Sequence, residues 1–221
     1  MTATALLFDL DGTMVNTDPI HIAVFADLMA EYGHIVDEAF YMRHVHGRLN
    51  SDFFREYLPQ VTDPQALSDI KEAEFRRRLP ASFPPMPGLV ALLDHADATG
   101  LKKAVVTNAN RLNTEAMLKA IGLRARFDVV VIGEECPRGK PHPDPYLLAM
   151  KTLDVAPEYA IAFEDSPSGV RSATAAGAHV IGIRSSASDD TLRAAGAHTT
   201  LFDFTDPTLE ALLTRPIGVP T

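Results

Sequence analysis

The chain has 221 residues, of which 46% are hydrophobic and 22% are charged, and its formal net charge is −9. This composition is globular rather than disordered, and the acidic balance argues against a nucleic-acid-binding face, which needs clustered lysines and arginines. Cys136 is the single cysteine, which excludes an intrachain disulfide. The apolar runs are shorter than the roughly 18 residues of a membrane span. We therefore expect a cytoplasmic protein with no nucleic-acid or membrane partner, and we expect a monomer.

The first predicted element is a buried strand over 4–9 that ends in two acids. Asp9 and Asp11 stand two residues apart, and Gly12 and Thr13 follow them. Side chains at i and i+2 of an extended segment point to the same side, so the two carboxylates repel each other unless a cation separates them or one stays protonated. Taken alone, the pattern also fits an ordinary turn at a strand end, because Asp and Gly are common turn residues.

The next region is helical throughout. Asp18-Pro19 is typical of a helix start, and the apolar spacing predicts four helices with no strand between them, over about 18–32, 37–46, 50–58 and 63–79. Pro84-Pro85-Met86-Pro87-Gly88 forms a linker to the rest of the chain. We predict that 17–84 is an inserted four-helix domain that controls substrate access, and that 1–16 and 85–221 form a second domain.

From residue 88 onward, helices and short apolar strands alternate. Helices are predicted over 88–98, 111–121, 144–152, 167–176, 188–195 and 207–213, and strands over 103–107, 128–132, 159–163 and 179–183, with a short apolar stretch at 200–202. This alternation is typical of a parallel sheet covered by helices on both faces. The fold class is therefore α/β, with a Rossmann-like doubly wound parallel sheet as the core and the all-helical cap inserted into it.

Polar side chains follow four of the predicted strands, at the edge where open parallel sheets bind ligands. They are Asp9, Asp11, Thr13, Thr107, Asn108, Asn110, Lys140, Glu164, Asp165 and Ser166. Carboxylates favour Mg²⁺, one carboxylate can attack phosphorus, and a second can transfer protons. Each residue also has a simpler explanation: Thr107 and Ser166 as helix caps, and Lys140 as surface. Capping does not explain two acids directly behind a hydrophobic strand.

Four stretches resemble, in order, the motifs of the haloacid dehalogenase superfamily. They are Asp9-Leu10-Asp11-Gly12-Thr13, Val106-Thr107-Asn108, Gly139-Lys140-Pro141 and Phe163-Glu164-Asp165-Ser166. The resemblance implies that Asp9 is the nucleophile, Asp11 the general acid/base, and that Thr107 and Lys140 contact the phosphoryl group. It also implies Mg²⁺ held by Asp9, the Asp11 carbonyl and Asp165, with Glu164 beside them.

Two other branches of that superfamily are less consistent with the chain. The dehalogenase branch lacks the acid found here at Asp11. The phosphonate-cleaving branch needs a Schiff-base lysine in the cap, and the only lysine of the insert is Lys71, which is far from the predicted hinges in sequence.

The helical insert resembles the cap of the subgroup that holds β-phosphoglucomutase and many small phosphatases. In that subgroup a histidine matching His21 faces the site, although a helical histidine is also a common surface or interface residue. The stretch from His46 to Ser51 resembles the specificity loop, and it also fits a turn between helices. Phosphoglucomutases carry an arginine three residues after the loop glycine, where this chain has Asn50; Arg48 directly follows Gly47.

This departure favours a substrate with a single phosphate, and we predict a sugar or polyol phosphate. The predicted substrate-binding residues are Thr13, His21, Gly47, Arg48, Asn50 and Asn108. The predicted function is a magnesium-dependent phosphomonoester hydrolase that forms a phospho-Asp9 intermediate, with hinges near 14–18 and 83–88. The alternatives are a phosphosugar mutase and a catalytically silent regulatory protein; the silent protein is disfavoured because Asp9, Asp11 and Lys140 are all present.

Overall fold

A computed structural model of the chain describes residues 3–46 and 48–214. The described residues divide into two compact units. One, the α/β unit, comprises the chain up to Asn16 and from Ser82 onward, and the other, the helical unit, is Thr17–Ala81. Within the described part of the chain, no helix is both long and apolar enough to cross a membrane.

The helical unit contains four helices, α1 (Asp18–Ala30), α2 (Glu38–His44), α3 (Asn50–Tyr57) and α4 (Pro64–Arg78). Pro19 and Pro64 stand in the first turns of α1 and α4, where a missing N–H costs nothing, and the Asp63 carboxylate caps α4 by accepting the N–H of Ala66. Buried aromatic rings from α1, α2 and α3 build its core; they are Phe25, Tyr41, Phe53 and Phe54.

The α/β unit is built on a six-stranded parallel sheet in the order β3-β2-β1-β4-β5-β6. The strands are β1 (Ala5–Phe8), β2 (Lys102–Thr107), β3 (Val129–Ile132), β4 (Ala160–Glu164), β5 (His179–Ile183) and β6 (Thr199–Leu201). The prediction of a parallel α/β sheet is confirmed. The order places β1 at the centre, so the acids that follow β1 lie between the ends of β2 and β4.

Six α-helices of the described chain belong to this unit. They are α5 (Leu89–Thr99), α6 (Arg111–Ala120), α7 (Asp144–Leu153), α8 (Pro167–Ala175), α9 (Asp189–Ala195) and α10 (Leu209–Thr214). Side chains of Asn110, Ser166 and Ser188 cap α6, α8 and α9 by accepting a backbone N–H from the first turn. Thr107 does not cap α6, because Asn110 takes that role.

The two faces of β1 contact different sets of side chains, as the period of two in a strand requires. Leu7 joins a buried cluster with Tyr146 of α7 and Val170 of α8. Phe8 points to the other face, where its ring stacks on Phe163 at 5.1 Å. Because both faces are covered, the apolar run before Asp9 is buried along its whole length, and the exit of β1 is held firmly in place.

The chain leaves the α/β unit after Asn16 and returns to it at Ser82. On its return, the backbone N–H of Met86 donates a hydrogen bond to the carbonyl of Met14, at 2.8 Å. The outgoing and returning segments of the α/β unit are therefore adjacent.

Candidate active site

Three carboxylates meet where β1 and β4 end. Phe8 pairs with Phe163 in the sheet, so the next residues, Asp9 and Glu164, emerge side by side, and Asp165 follows. Each of the three acids offers an oxygen within 4.8 Å of the others, and all three residues are buried. The sequence prediction that the first and fourth motifs converge at this edge therefore agrees with the geometry of the described residues.

Lys140 lies against two of these acids. Its Nζ donates to Asp9 Oδ1 at 2.6 Å, to Glu164 Oε1 at 2.6 Å and to the carbonyl of Val106 at 2.7 Å. An ammonium group has three protons, so these three bonds use all of them. The side chain is 3% exposed, which makes it a buried cation held by the end of β2 and by both acids rather than a surface lysine.

Asn108 holds the loop that carries Lys140. Its Oδ1 accepts the backbone N–H of Lys140 at 3.0 Å, and its Nδ2 donates to the Lys140 carbonyl at 3.1 Å. Both ends of the amide are thus bonded to the same backbone residue. Asn108 was predicted to bind substrate, and in the structure its side chain fixes the position of Lys140.

Burial and mutual repulsion shift the pKa values of the cluster. Burial raises the pKa of Asp9 to about 7, against the lowering effect of Lys140. Burial, and then the charges of Asp9 and Glu164, raise the pKa of Asp165 well above its ordinary value. For Lys140, burial alone would lower the pKa, but the charges of Asp9 and Glu164 outweigh it and the pKa is raised. The cluster therefore holds more negative charge than one lysine offsets.

The residues present fit a divalent cation. When ionised, the three carboxylates set against one ammonium leave two negative charges uncompensated in a buried place. The donors are all oxygen atoms, a set that suits hard cations such as Mg²⁺. Glu164 is the acid most fully engaged elsewhere, because Lys140 and Tyr146 both donate to its Oε1.

The tight turn after β1 brings Gly12 against Asp165. Gly12 has φ +84°, in the left-handed region, and a Cβ at this position would overlap the Asp165 carboxylate. Both reasons require glycine here. Thr13 is fully buried, and its Oγ1 is 3.5 Å from Asp165 Oδ1. Asp11 is half-buried in the same turn, and its side chain is outside the three-acid cluster found among the described residues.

Thr107 closes β2 beside the cluster and is 2% exposed. Its Oγ1 accepts the backbone N–H of Ala109 at 3.0 Å, which shapes the start of the loop that carries Asn108. A hydroxyl that accepts this bond keeps its own proton for a further partner. The predicted contact with a phosphoryl oxygen is compatible with that arrangement.

His21 is buried within the helical unit. Its ring stacks on Phe75 with centroids 4.0 Å apart, and its Nδ1 lies 2.7 Å from Nζ of Lys71. Lys71 also donates to Glu72 Oε1 at 3.0 Å. Because an ammonium can only donate, Nδ1 accepts and the ring proton resides on Nε2. Lys71, which the sequence reasoning considered only as a Schiff-base lysine, orients His21.

The predicted specificity loop is engaged with its own unit. Arg48 pairs with Glu56 at 2.8 Å, and Asn50 donates to Glu72 Oε1 at 2.5 Å. Gly47, the third predicted residue of this loop, lies outside the described residues. The Asn50 contact links the loop to the pair formed by Lys71 and Glu72.

Sequence reasoning missed two contacts of the acids. The hydroxyl of Tyr146, on α7, donates to Glu164 Oε1 at 2.7 Å, and Ser186 Oγ lies 2.6 Å from Asp165 Oδ2. The fifth strand offered a signal for the serine, since Ser186 stands just past its carboxyl end, where the strand-end rule looks for ligand-binding residues. For Tyr146 the only signal is one phenol on the buried side of an otherwise apolar helix face.

The family model for haloacid dehalogenase-like hydrolases matches residues 6–183 of the chain. Among curated proteins, hexitol phosphatase A of Escherichia coli is 31% identical over 188 residues, which is 85% of this chain and 86% of that protein. The span matched by the family model runs from β1 to the end of β5 and so includes all four motifs.

Solved structures of similar shape include CbbY variants and phosphoglucomutases. A CbbY variant from Rhodobacter sphaeroides, solved in complex with xylulose-1,5-bisphosphate, is 29% identical, with a TM-score of 0.81, over 97% of this chain and all (100%) of that one. The β-phosphoglucomutase of Clostridium difficile also has a TM-score of 0.81 at 20% identity, covering 95% of each chain, a likeness of fold alone.

Proposed function

The chain belongs to the family of haloacid dehalogenase-like hydrolases, and on that premise we propose that it is a magnesium-dependent phosphomonoester hydrolase acting on a sugar or polyol phosphate. The reaction proceeds through a phosphorylated Asp9. The site residues are those predicted from the sequence, with Asp9, Asp11, Thr107 and Lys140 in catalysis.

One observation carries the proposal: a buried lysine bridges two acids that stand beside a third. Lys140 reaches Asp9 and Glu164 at 2.6 Å each, and Asp165 completes the cluster. Such a cluster is costly to keep in a core unless it binds something, because buried charges without full compensation destabilise a fold. A cation and an anionic phosphoryl group together would supply the missing partners.

The chemistry needs two carboxylates with different tasks. A carboxylate oxygen of Asp9 attacks phosphorus, so that an Asp9–phosphorus bond forms while the bond from phosphorus to the ester oxygen breaks. Asp11 donates a proton to that leaving oxygen. Asp11 then accepts a proton from a water molecule whose oxygen attacks phosphorus, which releases phosphate and restores Asp9.

Lys140 and Thr107 stabilise the phosphoryl group during its transfer. Lys140 lowers the pKa of Asp9 against the effect of burial, which favours the ionised form that can attack. Thr107 offers its remaining proton to a phosphoryl oxygen. Mg²⁺ held by Asp9, Asp165 and the carbonyl of Asp11, with Glu164 beside it, would offset negative charge on the phosphoryl oxygens.

The substrate class rests on the relatives and on the loop around Asn50. Hexitol phosphatase A is named for a phosphorylated polyol, and the CbbY variant was solved with a sugar bisphosphate. Asn50 stands where phosphoglucomutases carry an arginine, and this departure favours a substrate with one phosphate. We propose that the helical unit acts as a cap, with His21 offering its Nε2 proton. The rest of the predicted binding set is Thr13, Gly47, Arg48, Asn50 and Asn108.

The test is phosphate release from a panel of hexose, pentose and polyol monophosphates, with Mg²⁺ or with EDTA, for the wild-type chain and Asp9→Asn. Release that needs Mg²⁺ and vanishes in the variant would support the proposal. The absence of release from every ester, in a folded chain that binds Mg²⁺, would overturn it. Conversion of a sugar 1-phosphate into its 6-phosphate without free phosphate would instead identify a mutase.

A further inference from the structure

Two adjacent hydroxyls at the end of β5 reach the loops that carry the acids. Ser185 Oγ donates to the carbonyl of Gly12 at 2.5 Å, and Ser186 Oγ donates to Asp165 Oδ2 at 2.6 Å. The chain separations are 173 and 21 residues, so neither contact is a local turn. The exit of β5 is thereby tied to both the Asp-Gly turn after β1 and the acid after β4.

We propose that Ser186 is a positioning residue for metal binding, which holds Asp165 by Oδ2 and presents its other oxygen to the cation. This inference rests on the magnesium dependence proposed above. The hydroxyl also lies 3.2 Å from the backbone carbonyl of Asp165, but it has one proton, and the shorter contact is with the carboxylate. Its donation therefore goes to the side-chain carboxyl group of Asp165.

The surroundings of Asp165 show why its carboxyl group needs a hydrogen-bond donor to hold it. Asp9 and Glu164 repel it, and the absence of a Cβ on Gly12 leaves room for the carboxylate against the turn. Thr13 lies 3.5 Å from Oδ1, at the limit of a hydrogen bond. Among the described contacts, Ser186 therefore makes the short bond that fixes the rotation of this side chain, with Oδ2 lying against Gly12 and Oδ1 on the side of Thr13.

A bond of this kind to a ligand carboxylate sets its orientation without touching the ion. Loss of such a supporting partner typically weakens metal binding by about 10- to 100-fold. The serine is on a different strand from the acid it holds, so the loop after β5 influences metal affinity although it contributes no ligand.

The experiment is calorimetric titration of the full-length chain with MgCl₂, in the absence of any ester. We expect S186A to raise the dissociation constant about tenfold. S186T, which keeps the hydroxyl, should restore binding. S188A is the matched control, because it removes an equivalent hydroxyl on the same loop, one that caps α9 through the N–H and the hydroxyl of Thr191. It should lower the melting temperature and leave the dissociation constant unchanged.

Turnover then separates positioning from simple structural support. In S186A the Mg²⁺ concentration that gives half-maximal activity should rise about tenfold, while kcat at saturating Mg²⁺ stays close to the wild-type value. A lower melting temperature with an unchanged dissociation constant would overturn the inference and leave Ser186 as a structural tie. Equal weakening in S188A would also overturn it.

Failure of the proposed function would look different. A wild-type chain that binds Mg²⁺ but hydrolyses no ester would refute the hydrolase proposal, and the calorimetric comparison of S186A, S186T and S188A would still decide the role of Ser186. A wild-type chain that does not bind Mg²⁺ would refute the inference itself.

Discussion

Each unit of the molecule buries one lysine to the same extent, and the two differ in what surrounds it. The side chains of Lys140 and Lys71 are both 3% exposed. Lys140 faces Asp9 and Glu164, with Asp165 beside them. The contacts of Lys71 include one carboxylate, that of Glu72, together with an imidazole and two phenyl rings. When ionised, the three acids of the first group outnumber its lysine, whereas the pair of Lys71 and Glu72 carries one charge of each sign.

This difference in charge balance distinguishes a binding site from a structural network, whereas the burial of the two lysines does not. A balanced pair satisfies itself, and its charges can be removed together at little cost. A cluster with surplus charge is stable only to the extent that its groups take up protons or an ion. The raised pKa values of Asp9 and Asp165 are the sign of that second situation.

The largest effect is expected from removal of the lysine on the unbalanced side. Lys140→Met leaves the buried acids without their cation, so we expect the free energy of unfolding in EDTA to fall by about 3–5 kcal/mol. We also expect activity to fall about 10³-fold, because the variant lacks a charge that stabilises the transferring phosphoryl group. Urea denaturation and phosphate release would measure both. Lys119→Met removes an exposed lysine of the same unit and should change neither; a similar loss in that control would show that the effect is not specific to the cluster.

The equivalent substitution at Lys71 should cause a smaller loss of stability, and a second substitution should restore most of it. Lys71→Met removes hydrogen bonds from Glu72 and His21, for an expected loss of about 2 kcal/mol by urea denaturation. Adding Glu72→Gln removes the charge left behind and should recover most of that loss. A double variant as unstable as the sum of the two single variants would contradict the balanced description, since coupled groups are not additive.

The third prediction concerns the pH dependence of stability, which Asp9 of the α/β unit should control. The pKa of Asp9 is about 7 in the folded chain and near 3.8 when unfolded, so between these values the folded state binds more protons and stability falls as the pH rises. In EDTA, the wild type should lose about 1–2 kcal/mol more than Asp9→Asn between pH 5 and pH 7. Saturating Mg²⁺, which favours the ionised acid, should remove the difference; an equal pH dependence of both chains in EDTA would refute the assignment.

The smallest effect concerns a single hydroxyl. Tyr146→Phe removes the donor to Glu164 while keeping the ring against Lys140, whose Nζ lies 5.3 Å from the ring centroid. We expect a loss of about 1 kcal/mol in stability and a similarly modest fall, about fivefold, in kcat/KM. Tyr159→Phe, a phenol outside the cluster, is the matched control for phosphate release. An unchanged rate in Tyr146→Phe would show that the remaining donors, Lys140 and Ser166, suffice to hold Glu164.

Much of this arrangement was predictable from local patterns. The strand before Asp9 is an unbroken apolar run, and helix starts are marked by Asp-Pro and Ser-Pro pairs, so elements and their order follow from short segments. The strand-end rule then brings Lys140 and Asp165 to the same edge as Asp9. These inferences need only sequence order and the geometry of parallel sheets.

The remaining contacts depend on side chains that sequence order leaves far apart. Nothing local indicates that Lys71 meets His21 across 50 positions, or that Ser186 donates to Asp165 rather than to solvent. The bonds of Asn108 to the backbone of Lys140 were likewise not predicted; its place at a strand end predicts contact with substrate, which stays a prediction. Strand ends indicate which side chains lie near the site, but packing decides which hydrogen bonds each of them makes.

The hydrogen bond from Met86 to Met14 bears on how such a chain can evolve. It joins the two points of the α/β unit between which Thr17–Ala81 is inserted, so the unit resumes beside the place where it was interrupted. Inserted domains are tolerated at such places because their two chain ends lie close together. A lineage can therefore exchange the inserted segment for one of another shape without moving Asp9 or Lys140, so that substrate preference can diverge while the reaction is inherited.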